Sequence, residues 1–250
     1  MIYLKSAEDI KHMRLAGKLA AKARQLAGEM IEVGITTAQI DGEMERFIKG
    51  NGGIPSFLGY NGFPASACIS VNEEVIHGIP GARKLVAGDL VKIDVGAIVN
   101  GFHGDCAATF ICGETAAEHL LLAETTKASF YEALSVCTVG FRMMDIGHII
   151  QTYVEERGFS VVRDFIGHGI GKSLHEAPEV PNFGKPNRGV RLEAGMTLAI
   201  EPMVNLGEAK VRVLEDGWTV VTADGKPSAH YENTVLITDG APEILTLFDL

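Results

Sequence analysis

The sequence lacks a surplus of positive charge: 22 lysines and arginines stand against 32 aspartates and glutamates, a formal net charge of -10. A protein built to grip nucleic acid needs a basic footprint, so no sequence-specific nucleic-acid partner is expected. Arg163, Lys172, Lys185, Arg188 and Arg191 fall in one stretch but read as scattered solvated charges. Long apolar runs are also missing. The longest uncharged stretch, Gly50 to Asn72, is broken by Gly52, Gly53, Pro55, Gly59, Gly62 and Pro64, which excludes a membrane helix there. The N-terminus reaches Lys5 without an apolar signal core, so neither secretion nor a membrane is expected. Cysteines are few, and Cys68, Cys106, Cys112 and Cys137 show no C-x-x-C spacing. Reduced thiols in a cytoplasmic protein are the expectation. What remains, 46% hydrophobic and 22% charged residues, is an ordinary globular composition.

What is present is a repeat. Val33-Gly34-Ile35 aligns with Val139-Gly140-Phe141, and Ile40, Met44, Phe47, Ile48 and Gly52 then align with Ile146, Ile150, Tyr153, Val154 and Gly158. His77-Gly78-Ile79 matches His168-Gly169-Ile170. Leu85-x-Ala87-Gly88-x-x-x-x-Ile93-Asp94 matches Leu192-x-Ala194-Gly195-x-x-x-x-Ile200-Glu201, and His103-x-Asp105 matches His230-x-Glu232. Each half supplies a His-Gly-Ile and two acids in the same order. One pseudo-twofold domain over residues 1–250, with halves at about 1–113 and 114–250, is therefore expected.

Periodicity and caps predict helices over about 6–27, 36–49, 115–136 and 145–157. Strands are predicted over 67–71, 89–99, 102–112, 160–165, 197–204, 210–214, 218–222 and 230–237. Two helices followed by strands, twice, is an α+β arrangement with helices covering a mostly antiparallel sheet. An extra hairpin near 207–222 belongs to the second half.

Asn100-Gly101 between two apolar runs is a strong hairpin signal. With those residues as the turn, Asp94 faces Ala107 and Asp105 becomes its diagonal neighbour, roughly 7–8 Å away on the same sheet face. Asp94 and Glu201 both sit in strands that otherwise read as core. One buried, unpaired carboxylate costs several kcal/mol, and gathering four adds like-charge repulsion. Within two positions of the four acids the only lysine or arginine is Lys92. Two divalent cations solve the problem, and four carboxylates with one imidazole suit Mn²⁺, Fe²⁺ or Co²⁺, with Zn²⁺ also acceptable. Spacing alone leaves open whether His77 or His168 is the ligand, the other then working on substrate. His168 lies between two glycines, where no side chain crowds an incoming ion. His12, His119 and His148 sit on predicted helices and read as structural.

At these residues the chain resembles the methionine aminopeptidases, in their short bacterial type I form with the pita-bread fold. The motifs are Phe57-Leu58-Gly59-Tyr60, Ile69-Ser70-Val71-Asn72, His77-Gly78-Ile79-Pro80, Ile93-Asp94-Val95, Gly101-Phe102-His103-Gly104-Asp105, Gly167-His168-Gly169-Ile170-Gly171, His175-Glu176, Ile200-Glu201-Pro202-Met203 and Tyr231-Glu232-Asn233-Thr234. The resemblance implies a dinuclear metal site in which Asp94 holds one ion, His168 and Glu201 the other, and Asp105 and Glu232 bridge both. It also implies that Glu201 carries a proton from the attacking water, that His175 hydrogen-bonds the substrate carbonyl, and that His77 contacts the scissile amide. A methionine pocket of Tyr60, Phe63, Cys68 and Trp218, edged by Phe57, His77 and Leu174, is implied as well. Two departures stand out. Leu174 replaces an aromatic, and His230 replaces a glutamine, there either perturbing the surroundings of Glu232 or merely matching His103.

The activity implied is removal of initiator methionine from nascent polypeptides with small second residues, by a cytoplasmic monomer; contact with the ribosome is left open by the sequence. A prolidase or proline-specific aminopeptidase of the same fold is the alternative, but those relatives usually carry an added N-terminal domain. Type II methionine enzymes carry a helical insertion, for which the 25 residues between His175 and Glu201 leave little room. A metal-free binding module should have broken ligand positions, and all five are intact.

Overall fold

The computed structural model describes residues 1–247; residues 248–250, part of the expected domain, lie outside the described residues. Four α-helices are present among the described residues: α1 (Ala7–Glu29), α2 (Thr37–Gly50), α3 (Ala117–Ala133) and α4 (Met143–Glu155). The first two start where the sequence predicts. The Asp9 N–H donates to Ser6 Oγ (3.2 Å) while the Asp9 carboxylate accepts from Ser6 N (2.9 Å), and Thr36 with Gln39 repeats the arrangement. Each such cap contributes about 1 kcal/mol. Helix α4 begins two residues before the expected Asp145. Its cap is Arg142, and Asp145 instead reaches back to accept the Arg142 N–H at 2.7 Å.

The strands are β1 (Ile54–Pro55), β2 (Ala67–Val71), β3 (Glu74–Ile76), β4 (Leu90–Val99), β5 (Phe102–Ile111), β6 (Ser160–Val161), β7 (Gly167–Gly169) and β8 (Glu176–Val180). They continue with β9 (Thr197–Ile200), β10 (Met203–Asn205), β11 (Val211–Val213), β12 (Val220–Thr222), β13 (Ser228–His230), β14 (Glu232–Leu236) and β15 (Glu243–Ile244). The main antiparallel sheet runs β1-β4-β5-β14-β9-β7-β8, with β2 also on β4 and β15 on β14. Strand β5 of the first half pairs with β14 of the second, so the repeat halves meet inside one sheet. Helices and mostly antiparallel sheet agree with the α+β expectation. No helix among the described residues is long and apolar enough to cross a membrane.

Three predicted strands depart most from the expected ranges. The stretch 197–204 splits at Glu201-Pro202: β9 stays in the main sheet, while β10 joins a separate sheet with β13 and β6. Pro202 has no N–H to give a ladder, so the chain turns there. The stretch 230–237 splits at Tyr231, whose N–H donates to Pro202 O at 3.2 Å. The strand expected over 160–165 stops at Val161.

Each half keeps its own core. Leu19, Ile40, Met44, Ile48, Ile69 and Ile93 pack in one, and Phe130, Ile146, Ile150, Leu198, Ile200 and Val235 in the other. A third cluster, with Met13, Phe63, Ile170, Leu174 and Leu236, draws on both halves. Each fully buried aliphatic or aromatic side chain contributes roughly 1.5–3 kcal/mol.

Candidate metal centre and substrate cleft

Two adjacent rows of the main sheet gather the acids. Across one row, Asp94 faces Ala107 on β5, and Ala107 faces Glu232 on β14. In the next row Asp105 faces Gly96, while Thr234 faces Ala199 and Ala199 faces His168. The rows are tied together at the join: the Asp105 N–H donates to Thr234 Oγ1 (3.1 Å), and that hydroxyl donates to Asp105 O (3.0 Å). Residues two apart on a strand share a face, so Asp94, Asp105, Glu232 and His168 all project from one side. Glu201 joins them from the corner where β9 ends. The predicted hairpin register, with Asp94 opposite Ala107, is the observed one.

His168 is flanked by glycines for a different reason from the one the sequence suggested. A Cβ on Gly167 would lie 2.3 Å from Ala199 O, and one on Gly169 would lie 2.3 Å from Ala177 O. The glycines let β9 and the start of β8 close on β7, which fixes the imidazole from behind. Its Nδ1 lies 2.9 Å from Gly169 O, an acceptor only, so Nδ1 carries the proton and Nε2 is free to ligate. Burial lowers the pKa of His168 to about 3, which keeps the ring neutral as a ligand must be. Nε2 then faces Glu201 Oε1 at 3.7 Å.

The acids show the cost of their crowding. Burial, with the charge of Asp105 and other acids, holds Asp94, Glu201 and Glu232 well above the usual carboxylate range. Burial raises Asp105 to about 7. Asp94 Oδ1, Asp105 Oδ1 and Glu232 Oε1 are buried without a hydrogen-bond partner. No lysine or arginine forms an ion pair with any of the four acids among the described residues. Ligand atoms of Asp105, His168 and Glu232 lie within 4.8 Å of one another, as do those of Glu201, His230 and Glu232. A donor set of orphaned carboxylate oxygens and a neutral imidazole fits divalent cations.

Residues 11–239 match the metallopeptidase family M24. The chain belongs to that family. It is 56% identical to a methionine aminopeptidase of Clostridium perfringens over 247 residues, 99% of each chain. It is 50% identical to methionine aminopeptidase 1 of Bacillus subtilis, over 98% of this chain and 99% of that one. The solved structure of a methionine aminopeptidase from Thermotoga maritima superposes with a TM-score of 0.97 at 44% identity, covering 99% of this chain and 100% of that one. A prolidase from Pyrococcus furiosus shares the fold (TM-score 0.80, 24% identity), but this chain covers only 66% of it. The architecture is thus the pita-bread fold expected from the sequence, and membership in M24 makes the chain a metallopeptidase.

In this M24 chain the acids line a cavity of about 240 Å³, walled by Phe57, Tyr60, Phe63, Cys68, Leu174 and Trp218, with His77 and His175 also on its lining. The residues expected from the resemblance to hold metal, act on substrate or form the pocket therefore all line one cleft. Phe63 and Trp218 meet edge-on at 5.1 Å, and His77 stands edge-on to Trp218 at 6.3 Å. Tyr60 Oη and His175 Nδ1 lie 2.8 Å apart, and the rings of His175 and His168 are 4.1 Å apart. His77 takes φ +58°, a left-handed backbone that non-glycine residues adopt at a cost and that gathers at functional sites. Burial lowers the pKa of His77 to about 4 and that of His175 in the same direction.

Sequence reasoning missed Ile76, Phe165 and Ile166 on the cavity wall. Phe165, placed in a strand by its apolar neighbours, instead lies in the loop before β7 and stands edge-on to His77 at 5.8 Å. The signal available was position: apolar residues just precede both copies of His-Gly-Ile. His230 is also closer to the centre than expected. Rather than attending Glu232 alone, its Nε2 lies 3.7 Å from Glu201 Oε2 and 4.0 Å from Glu232 Oε2.

Proposed function

We propose that this chain is a methionine aminopeptidase that removes the N-terminal methionine from nascent proteins and peptides with small second residues. The observation that carries the reading is the cleft: acids and a neutral histidine on its floor, and a thioether-sized wall of aromatic rings and a thiol beside them. A methionine side chain packs well on aromatic edges and sulfur. Burial raises the pKa of Cys68, so it offers the pocket a neutral, soft surface rather than a nucleophile.

Asp94, Asp105, His168, Glu201 and Glu232 would hold two divalent cations, drawn from Mn²⁺, Fe²⁺, Co²⁺ or Zn²⁺. When bound, the cations supply an acidified water and polarise the peptide carbonyl. Glu201 is the proton carrier, taking a proton from the attacking water and returning it to the leaving amine. His175, aligned by Tyr60, donates toward the carbonyl oxygen as negative charge grows there. His77, held in its unusual backbone conformation, contacts the scissile amide from the far side of the pocket. The two halves act as one catalytic domain. A cytoplasmic, monomeric enzyme reaching chains at the ribosome fits this role.

Cation-loaded protein should cleave Met-Ala-Ser at least a hundredfold faster than Leu-Ala-Ser or Pro-Ala-Ser. Equal rates, or activity that survives both chelation and Asp105→Asn, would overturn the proposal. Metal analysis of the protein as purified from cells decides the identity and number of the ions.

A further inference from the structure

His175 rides on the short connection between β7 and β8, which has no strand pairing of its own. Its first part is well anchored: Ile170 N donates to Thr197 O (3.1 Å) and His103 N donates to Gly171 O (2.8 Å). From Lys172 to His175 the turn is held by Gly171 N donating to Ser173 O (3.1 Å), by the buried Leu174 side chain, by Tyr60 Oη on His175 Nδ1 (2.8 Å) and by Glu176. Glu176 Oε1 accepts the Ser173 N–H (3.1 Å), closing the turn around His175. Its other oxygen, Oε2, accepts from Lys5 Nζ at 2.6 Å.

Lys5 is an unusual partner for a surface turn. Its side chain is only 5% exposed, and Nζ also donates to Tyr3 O (3.2 Å). Its backbone N–H donates to Gly195 O (2.7 Å), in the turn that leads into β9 and so to Glu201. The side chain thus spans from the approach of the Glu201 strand to the turn that carries His175. The fold leaves space for it: a Cβ on Gly171 would lie 2.5 Å from Lys5 Cε and 2.6 Å from Glu176 Oε1.

We infer that Lys5, acting through Glu176, is a positioning residue for His175, setting its distance from the Glu201 side of the site. This rests on the reading of His175 as the donor to the substrate carbonyl. A shielded ion pair adds little net stability over apolar residues of the same shape, so stability alone is a weak reason for the pair. Geometry is a stronger one, because displacement of a catalytic group by about 1 Å costs up to roughly a hundredfold in rate.

The test uses Mn²⁺-loaded full-length protein and Met-Ala-Ser. Lys5→Met should lower kcat about 10–100-fold while KM stays within about threefold, because Lys5 does not line the methionine pocket. Lys5→Arg and the exchange Lys5→Glu with Glu176→Lys should recover much of the loss. The deciding arm is His175→Ala. If that change leaves kcat intact, the reading of His175 fails. If it lowers kcat, adding Lys5→Met should cost little more. An unchanged kcat in Lys5→Met, or an equal loss with and without His175, overturns the positioning role. Melting temperature and circular dichroism of each variant separate misfolding, for which the arginine and exchanged-charge variants provide the folded comparison.

Discussion

His230 and Glu201 face one another across the bend where two strands leave the main sheet: His230 Nε2 lies 3.7 Å from Glu201 Oε2, while Oε1 of the same carboxylate turns to His168. Both His230 ring nitrogens are buried and lack a hydrogen-bond partner. If Glu201 holds a cation as proposed, this neutral imidazole, at present beyond hydrogen-bond distance of Oε2, is the side chain placed to close on that oxygen and orient the carboxylate. His230→Ala should weaken divalent-cation binding roughly 10–100-fold, the usual scale for such outer partners. His230→Gln, which restores an N–H at similar reach, should stay close to the parent. Calorimetric titration with Mn²⁺ checks both, and unchanged affinity in the alanine variant would sink the assignment.

Asp105 lies in the middle of four acids and raises the pKa of each of the other three. Asp105→Asn should abolish peptide hydrolysis yet stabilise the chelated protein, because one repelling charge is gone. A gain of about 0.5–2 kcal/mol is the ordinary scale for relief of functional strain. For a chain of this size it shifts the melting temperature by roughly 1–8 °C. The parent should melt higher when Mn²⁺ is added and the variant much less so. A variant that melts lower than the chelated parent at pH 8 contradicts the argument.

The acids were legible because their chemistry is local. The hairpin turn at Asn100-Gly101 fixes the register of Asp94 and Asp105, and the repeat then locates Glu201 and Glu232 by analogy. What the sequence hid depended on distant partners. The break at Pro202 matters only because β10 and β13 form a second sheet, and that bend is what turns His230 toward Glu201. Phe165 reads as strand from its neighbours, whereas tertiary packing against His77 decides its place. The role of Lys5 was invisible for the same reason, since Glu176 lies 171 positions away along the chain.

The pH response of the cation-free protein follows from two opposed groups. The four acids have folded-state pKa values above the ordinary range near 4, Asp105 at about 7. Above pH ~4 the folded state therefore holds more protons than the unfolded chain, and this group removes stability as pH rises toward 7 and beyond. His77 and His103 (each about 4), His168 and His230 (each about 3) and His175 are lowered by burial. Between pH ~3 and their ordinary value near 6.5 the unfolded chain holds the extra protons, so this group adds stability as pH rises. Above pH ~6.5 the acids outweigh the one opposing group, Lys92, whose ammonium is lowered by burial to about 7 and which adds stability as pH rises beyond that value. Stability of the chelated protein should peak near pH 6–6.5 and fall above it, while the gain from added Mn²⁺ grows over the same range. Urea unfolding from pH 5 to 8.5, with chelator and with Mn²⁺, measures both trends. A chelated protein that grows steadily more stable up to pH 8.5 would reverse the sign.

Trp218 is the sole tryptophan and forms one wall of the cleft, against Phe63 at 5.1 Å. Its fluorescence therefore reports the cleft, the proposed methionine pocket, without interference from any other indole. Free methionine or a slowly cleaved methionyl peptide should shift the emission, because the ligand displaces water from the ring. Trp218→Ala removes an edge-on aromatic contact and part of the pocket wall. It should raise KM for Met-Ala-Ser about 3–10-fold, the scale of one aromatic pair, and change kcat less. That split follows from the proposed reading, in which Trp218 borders the methionine side chain and Glu201 and His175 work at the peptide bond. A variant that loses kcat with KM unchanged would place Trp218 with the reacting atoms instead of with the methionine side chain.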